Sequence, residues 1–178
     1  MPHLTFNGKR LQANGLTFTM RDPFIDWYLP SQNELISIRI NLANEGVGDL
    51  SFGTYWSSTE NTYNSAVQQS SGSGSPQPKG NVYKVRASRT FSASIDAYSL
   101  RDRGPAGGWI YFIDGTGTVY YEAAPYDLTS SVWSNITNVL IGGTGSTTGT
   151  GQANTTLIIN QSGHTNSAAK LCDDLIIQ

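Results

Sequence analysis

The sequence predicts a single loop-rich α+β domain, and three observations predict it. Charged residues are only 13% of the 178-residue chain, which holds 19 glycines and is rich in Ser, Thr and Asn. That balance suits a mixed, turn-heavy domain better than a helical bundle. One segment carries a complete helix-start signal, while most of the remainder reads as short alternating strands between turn residues. The length suffices to bury most of the unfolded surface in one core without cross-links.

Residues 1–22 read as a small β arm for attachment or oligomerisation. "HLTFNGKRL" places Asn7-Gly8 between two short runs, a strong hairpin signal. A second "NGLTF" follows at 14–18, echoing "LTFNG" at 4–8. The main helix starts after "DWYLP": Ser31 is its N-cap, Glu34 completes a capping box, and Leu35, Ile38 and Leu42 form one apolar face. It should stop near Gly46 and Gly48.

From 50 to 91 the text is β-like. "GTYWSS" and "NVYKVRASRTF" bracket "QQSSGSGSPQPKGN", whose Gly, Ser and Pro content predicts a flexible stretch outside any element. In "VYKVRAS", Tyr83, Val85 and Ala87 alternate with Val82, Lys84, Arg86 and Ser88, so one side can face a core. After a link at 92–103, "WIYFI" and "TVYYEA" flank the turn "DGTG". "GGTGSTTGTG" is a loop that matches neither a dinucleotide-binding nor a Walker A pattern. The C-terminal segment reads as two short helices broken at Ser162-Gly163, the second placing Ala168, Leu171, Cys172 and Leu175 on one face.

Catalytic chemistry finds little support. Net charge is −2, with no cationic cluster longer than Lys9-Arg10, so the basic stripe needed for nucleic acid is missing. Cys172 is the single cysteine, which rules out an intrachain disulfide and a Cys-rich zinc site; it reads as a buried thiol. His3 and His164 lack spaced partner ligands, and "GSGSP" is no nucleophile elbow. Asp173-Asp174 read as a solvated face, and Asp102, Asp114 and Asp127 adjoin turns. No metal and no cofactor are expected. "MPHLTFNGKRLQ" lacks the apolar stretch of a signal peptide and no run approaches a membrane span, so synthesis in a cytoplasm without membrane association is expected.

The segment 57–83 stands apart. It supplies Ser, Asn, Gln, Gly and Tyr with only two charges, Glu60 and Lys79. Tyr gives rigid amphipathic contact area and Ser, Gly and Asn adapt their hydrogen bonds, as in antibody paratopes. From composition alone, an ordinary loop with inward-packed tyrosines reads equally well.

"DWYLPSQNEL", "YWSSTE" and "VRASRTF" resemble the signature of a bacterial and phage domain family with a C-type-lectin-like fold. Its relatives include the variable proteins of diversity-generating retroelements and many tail-fibre tips. "GPAGGWIYF", "YYEAAP", "GTGQANT" and "SAAKLCDDLI" resemble the family's other half, so the likeness spans roughly 26–178. The order differs: the family's second half (26–91) comes first here, followed by the link 92–103 and the family's first half (104–178). The resemblance therefore implies a circularly permuted lectin-like domain over 23–178, with two helices packed on small antiparallel sheets. Exchange of halves between subunits is the rival arrangement.

The resemblance further implies a display surface between the "YWSS" and "VR" strands. Its candidates are Glu60, Asn61, Tyr63, Asn64, Gln68, Gln69, Asn81 and Tyr83. Trp27, Ser31, Glu34, Trp56, Arg86, Arg89 and Trp109 are expected as scaffold. Gln77-Pro78-Lys79 puts a cation where calcium-dependent sugar lectins need a carboxylate, and formylglycine-generating relatives need a cysteine pair. The expected function is non-enzymatic recognition of a host-surface glycan or protein by a phage tail fibre or baseplate, so the expected location is the virion. The arm would contact other virion proteins, and a homo-oligomer, a trimer by analogy with fibre tips, is expected. The alternative is a structural capsid decoration or baseplate component.

Overall fold

Ser31 starts helix α1 (Gln32–Asn41) with both bonds of the capping box: its side chain accepts from the Glu34 N–H, and its own N–H donates to Glu34 Oε2 at 2.6 Å. The hydroxyl also donates to the Thr147 carbonyl at 2.9 Å, tying the helix start to a distant loop. Leu35, Ile38 and Leu42 are buried as their spacing requires. A 3₁₀ turn (Ala43–Glu45) follows, and Gly46, at φ +69°, ends it in the left-handed conformation that glycine adopts without penalty.

The computed structural model describes residues 11–13, 16–18, 22–50, 53–70 and 74–178. The hairpin expected at Asn7-Gly8 lies outside them. Among the described residues β1 (Leu11–Ala13) pairs with β2 (Leu16–Phe18), Ala13 opposite Leu16, so the "LTF" of the echo at 16–18 is a strand.

Two further sheets build the domain. The larger comprises β3 (Tyr55–Thr62), β4 (Ser65–Gln69), β5 (Gly74–Pro78), β6 (Val82–Val85) and β10 (Leu128–Val132), in the order β10-β6-β3-β4-β5. The smaller comprises β7 (Ser88–Ser92), β8 (Trp109–Ile113) and β9 (Val119–Ala123), in the order β7-β9-β8. Helices α2 (Gly151–Ile159) and α3 (Ala168–Asp173) follow, separated by a turn in which Gly163 has φ +80°.

The architecture is thus mixed α+β and loop-rich, with three corrections to the finer expectations. The sheets are not purely antiparallel, because β3 and β6 run parallel. Among the described residues three α-helices flank them, as the local signals predict and one more than the resemblance implies. And "GSPQP" is strand β5, paired with β4 from Gly74↔Gln69 to Pro78↔Ser65. Successive backbone N–H groups of a strand point to opposite edges. Prolines two apart therefore lose donors on one edge only, which a strand at the end of a sheet tolerates.

Two cores result. Trp27, Trp56, Val85, Trp133, Ile158 and Cys172 are buried in the first, to which the larger sheet, α2 and α3 contribute. Leu171 and Leu175 pack against it, although Leu175 lies beyond the end of α3. Burial raises the Cys172 thiol well above its ordinary pKa, making it unreactive. Leu35, Ile38, Leu42, Tyr55, Tyr111 and Tyr121 form the second core, between α1 and the smaller sheet.

The sequence halves are interleaved. β7 pairs with β9 and β6 pairs with β10, while within the first half Tyr28 exchanges backbone bonds with Ser88. Phe24 and Ile177 also exchange backbone bonds, at 2.8 and 3.1 Å. The link is pinned by rings: Tyr98 lies 5.5 Å from Phe91 and 5.3 Å from Tyr120.

Because the Ser31 hydroxyl makes two polar contacts, one of them to a distant loop, Ser31→Ala is expected to cost about 1–2 kcal/mol, the upper part of the range for lost N-caps. Urea unfolding measures it; an unchanged midpoint would show that the cap contributes nothing.

Candidate functional site

The tip of the β3–β4 hairpin follows from its register. Thr62 pairs with Ser65, leaving Tyr63-Asn64 as the two turn residues. Short polar bonds close the turn: Thr62 Oγ1 lies 2.6 Å from Ser65 Oγ and donates to Asn64 Oδ1 at 2.9 Å. Asn61 Nδ2 donates to Ser65 Oγ at 3.1 Å.

Beneath the tip lies a buried ion pair. Lys79 and the Glu60 side chain are 0% and 3% exposed, and Lys79 Nζ stands 2.6 Å from Glu60 Oε1. The ammonium also donates to the carbonyls of Tyr63 (3.0 Å) and Val139 (2.9 Å), so all three of its protons have acceptors. Its charge lies 4.9 Å from the centre of the Trp133 ring. Glu60 in turn accepts from the backbone N–H groups of Ile141 and Gly142. A single pair thereby fastens the loop around 139–142 to the hairpin tip.

The eight expected ligand contacts separate into groups. Asn61, Tyr63 and Asn64 are exposed together at the tip, Tyr63 to 56%. Glu60 is not at the surface; a carboxylate with these partners braces the tip from below. Gln68 and Gln69, successive residues that point to opposite faces of β4, are also buried, and their Oε1 atoms find no hydrogen-bond partner. Asn81 and Tyr83 are half-buried: Asn81 Nδ2 donates to the Tyr83 hydroxyl, and the Tyr83 ring lies 4.7 Å from that of Trp56. Sequence reading missed Val139 and Leu140, which are 54% and 59% exposed on the fastened loop. The available signal was Lys79, one cation in a long uncharged text opposite one anion.

The residues expected as scaffold lie inside or at the edge of the cores. Trp27 and Trp56 are fully buried, and Trp109 is half-buried with the Arg103 guanidinium 3.7 Å from its ring centre. Arg86 donates to Asp127, so Asp127 does more than shape a turn. Arg89 donates to Asp26 and Glu122, and these bonds outweigh burial in raising its pKa. Glu122 also accepts from the N–H groups of Ala106 and Gly108. A Cβ at Gly108 would collide with the Ala123 carbonyl, which explains a glycine there.

A buried polar cluster joins Tyr28, Glu34 and Thr90. The Tyr28 hydroxyl lies 2.6 Å from Thr90 Oγ1, and Glu34 accepts from Gly149 N–H at 2.9 Å. Burial pushes the Glu34 carboxyl above its ordinary range, against the pull of its backbone donors, and raises the Tyr28 phenol. These groups serve the helix cap. His164 faces Ser167, the N-cap of α3, and Asp174 pairs with Lys170.

A cavity of about 270 Å³ opens at the other end of the hairpin, lined by Leu35, Ile38, Val47, Leu50, Tyr55 and neighbouring polar groups. Among the described residues, no three His, Cys, Asp or Glu side chains converge as a metal site, and no helix is long and apolar enough to cross a membrane.

Lys79→Met would leave Glu60 buried without its counter-charge and is expected to cost about 3–5 kcal/mol. Adding Glu60→Gln should restore part of that loss. A double-mutant cycle in urea measures the coupling, and additive losses would show that the pair does not act as a unit.

No family model, curated protein or solved structure matches the chain.

Proposed function

We propose that the chain is a non-enzymatic recognition protein of a phage particle, carried at a tail fibre or baseplate, which binds a host-surface ligand through the β3–β4 tip. One observation carries this reading: Asn61, Tyr63 and Asn64 face solvent on a turn whose backbone is clamped by the buried Lys79–Glu60 pair. A surface held in place before it meets its partner avoids much of the ordering cost of binding. The tip offers carboxamides, hydroxyls and a phenol, while its one carboxylate is already engaged by Lys79.

The lectin-like, permuted organisation belongs to the same proposal. The pairing of Phe24 with Ile177 supports it, since the motifs that follow one another in the resembled family's order lie side by side here. The N-terminal arm would join the domain to other virion proteins, in a homo-oligomer.

Two experiments test these points. Labelled protein is expected to bind cells within a panel of bacteria saturably, and a folded Tyr63→Ala/Asn64→Ala variant to lose that binding. Retained binding would sink the tip as the site, and the intact protein found buried between capsid or baseplate subunits would favour a structural role. For the fold, a chain reordered to join residue 178 to residue 22 by a short linker, and opened within 94–97, is expected to unfold cooperatively as a monomeric domain. Failure to fold, or folding only as an exchanged dimer, would refute the permuted single domain.

A further inference from the structure

The tip sits in an uncharged face. Residues 61–78, 80–83 and 128–169 contain no Asp, Glu, Lys or Arg. The two charges within 60–83, Glu60 and Lys79, are buried against each other. The tip and the fastened loop are held together, since the Tyr63 and Val139 carbonyls both bind Lys79 Nζ. Exposed side chains on this face are therefore carboxamides and hydroxyls (Asn61, Thr62, Asn64, Asn138) beside the Tyr63 ring and the apolar Val139 and Leu140.

We propose that the ligand of this face is an uncharged polysaccharide, an inference that rests on the recognition reading above. An acidic glycan is bound by placing Arg or Lys against its carboxylate, sulfate or phosphate. Desolvating such an anion here would leave it without a counter-charge. Protein partners meet the same difficulty, because about a quarter of their residues are charged. A neutral sugar does not. Its hydroxyls both donate and accept, as each Asn side chain does, and the C–H face of its ring packs on an exposed aromatic face such as that of Tyr63. Val139 and Leu140 extend the apolar footing to a neighbouring residue of the polymer.

The test uses a panel of neutral polysaccharides (mannan, dextran, galactan) beside acidic ones (polyuronate, sialylated and phosphorylated glycans), at about 0.05 M and about 0.5 M NaCl. Saturable binding to a neutral member is expected, changing less than about twofold between the two salts, because no exposed charge is there to be screened. Tyr63→Ala should weaken it by about tenfold or more. Binding confined to acidic members, binding that falls steeply with salt, or no saturable binding to any neutral member would overturn the proposal. So would cell binding abolished by protease treatment of the cells. If such binding still depends on Tyr63 and Asn64, only the ligand class is wrong and recognition by the tip stands. If cell binding survives Tyr63→Ala/Asn64→Ala, the recognition reading itself falls.

Discussion

Arg86 holds together parts of the chain that no strand ladder joins. Its buried guanidinium donates to the carbonyls of Gly48 (2.9 Å), Asp49 (3.2 Å) and Ala124 (2.7 Å), and to the Asp127 carboxylate (2.7 Å). Gly48 and Asp49 lie in left-handed backbone after α1, and Ala124 and Asp127 lie between two strands. Carbonyls in such irregular segments need partners once buried, and a planar fork of five donors supplies several at once. Asp127 also accepts from the Tyr55 hydroxyl, which carries the connection into the second core. Arg89 repeats the arrangement three residues later, joining Asp26 near the start of the domain to Glu122 on β9. A loop-rich fold with few charges thus uses two of its arginines as internal fasteners.

These fasteners also show where the sequence was legible. α1 was readable because its signal is local: Ser31, Glu34 and the Leu35-Ile38-Leu42 spacing all act within three turns. The "WIYFI…TVYYEA" hairpin and the break at Gly163 were readable for the same reason. β5 was not, since its strand character comes from pairing with β4, against its Gly and Pro content. The parallel contact of β3 with β6 was hidden too, because a parallel pairing leaves no turn signature between its strands.

The candidate surface was legible by region rather than by residue. Asn61, Tyr63 and Asn64 do share one exposed tip. Glu60, Gln68 and Gln69 belong inside, which composition cannot reveal, because polar side chains in the middle of a five-stranded sheet look like loop residues until their neighbours are known. Glu60 was the informative case: a lone anion in uncharged text is exposed by default, and only Lys79, nineteen residues away, makes its burial affordable. Val139 and Leu140 were invisible because their place beside the tip is set by the same pair.

The clamp under the tip grips backbone, and that has a consequence for how the protein can change. Lys79 binds the Tyr63 and Val139 carbonyls through its ammonium and the Asn64 carbonyl through its own N–H. Every residue type presents the same carbonyl, so the side chains at 63 and 139 are not needed to keep the turn in place, and Asn64 adds to the clamp only its bond from Thr62 Oγ1. Successive point changes at these positions can alter what the surface touches while folding is left nearly untouched. Adaptation to a new partner is therefore open to this chain by single steps, with Lys79 and Glu60 as the two positions that must stay fixed.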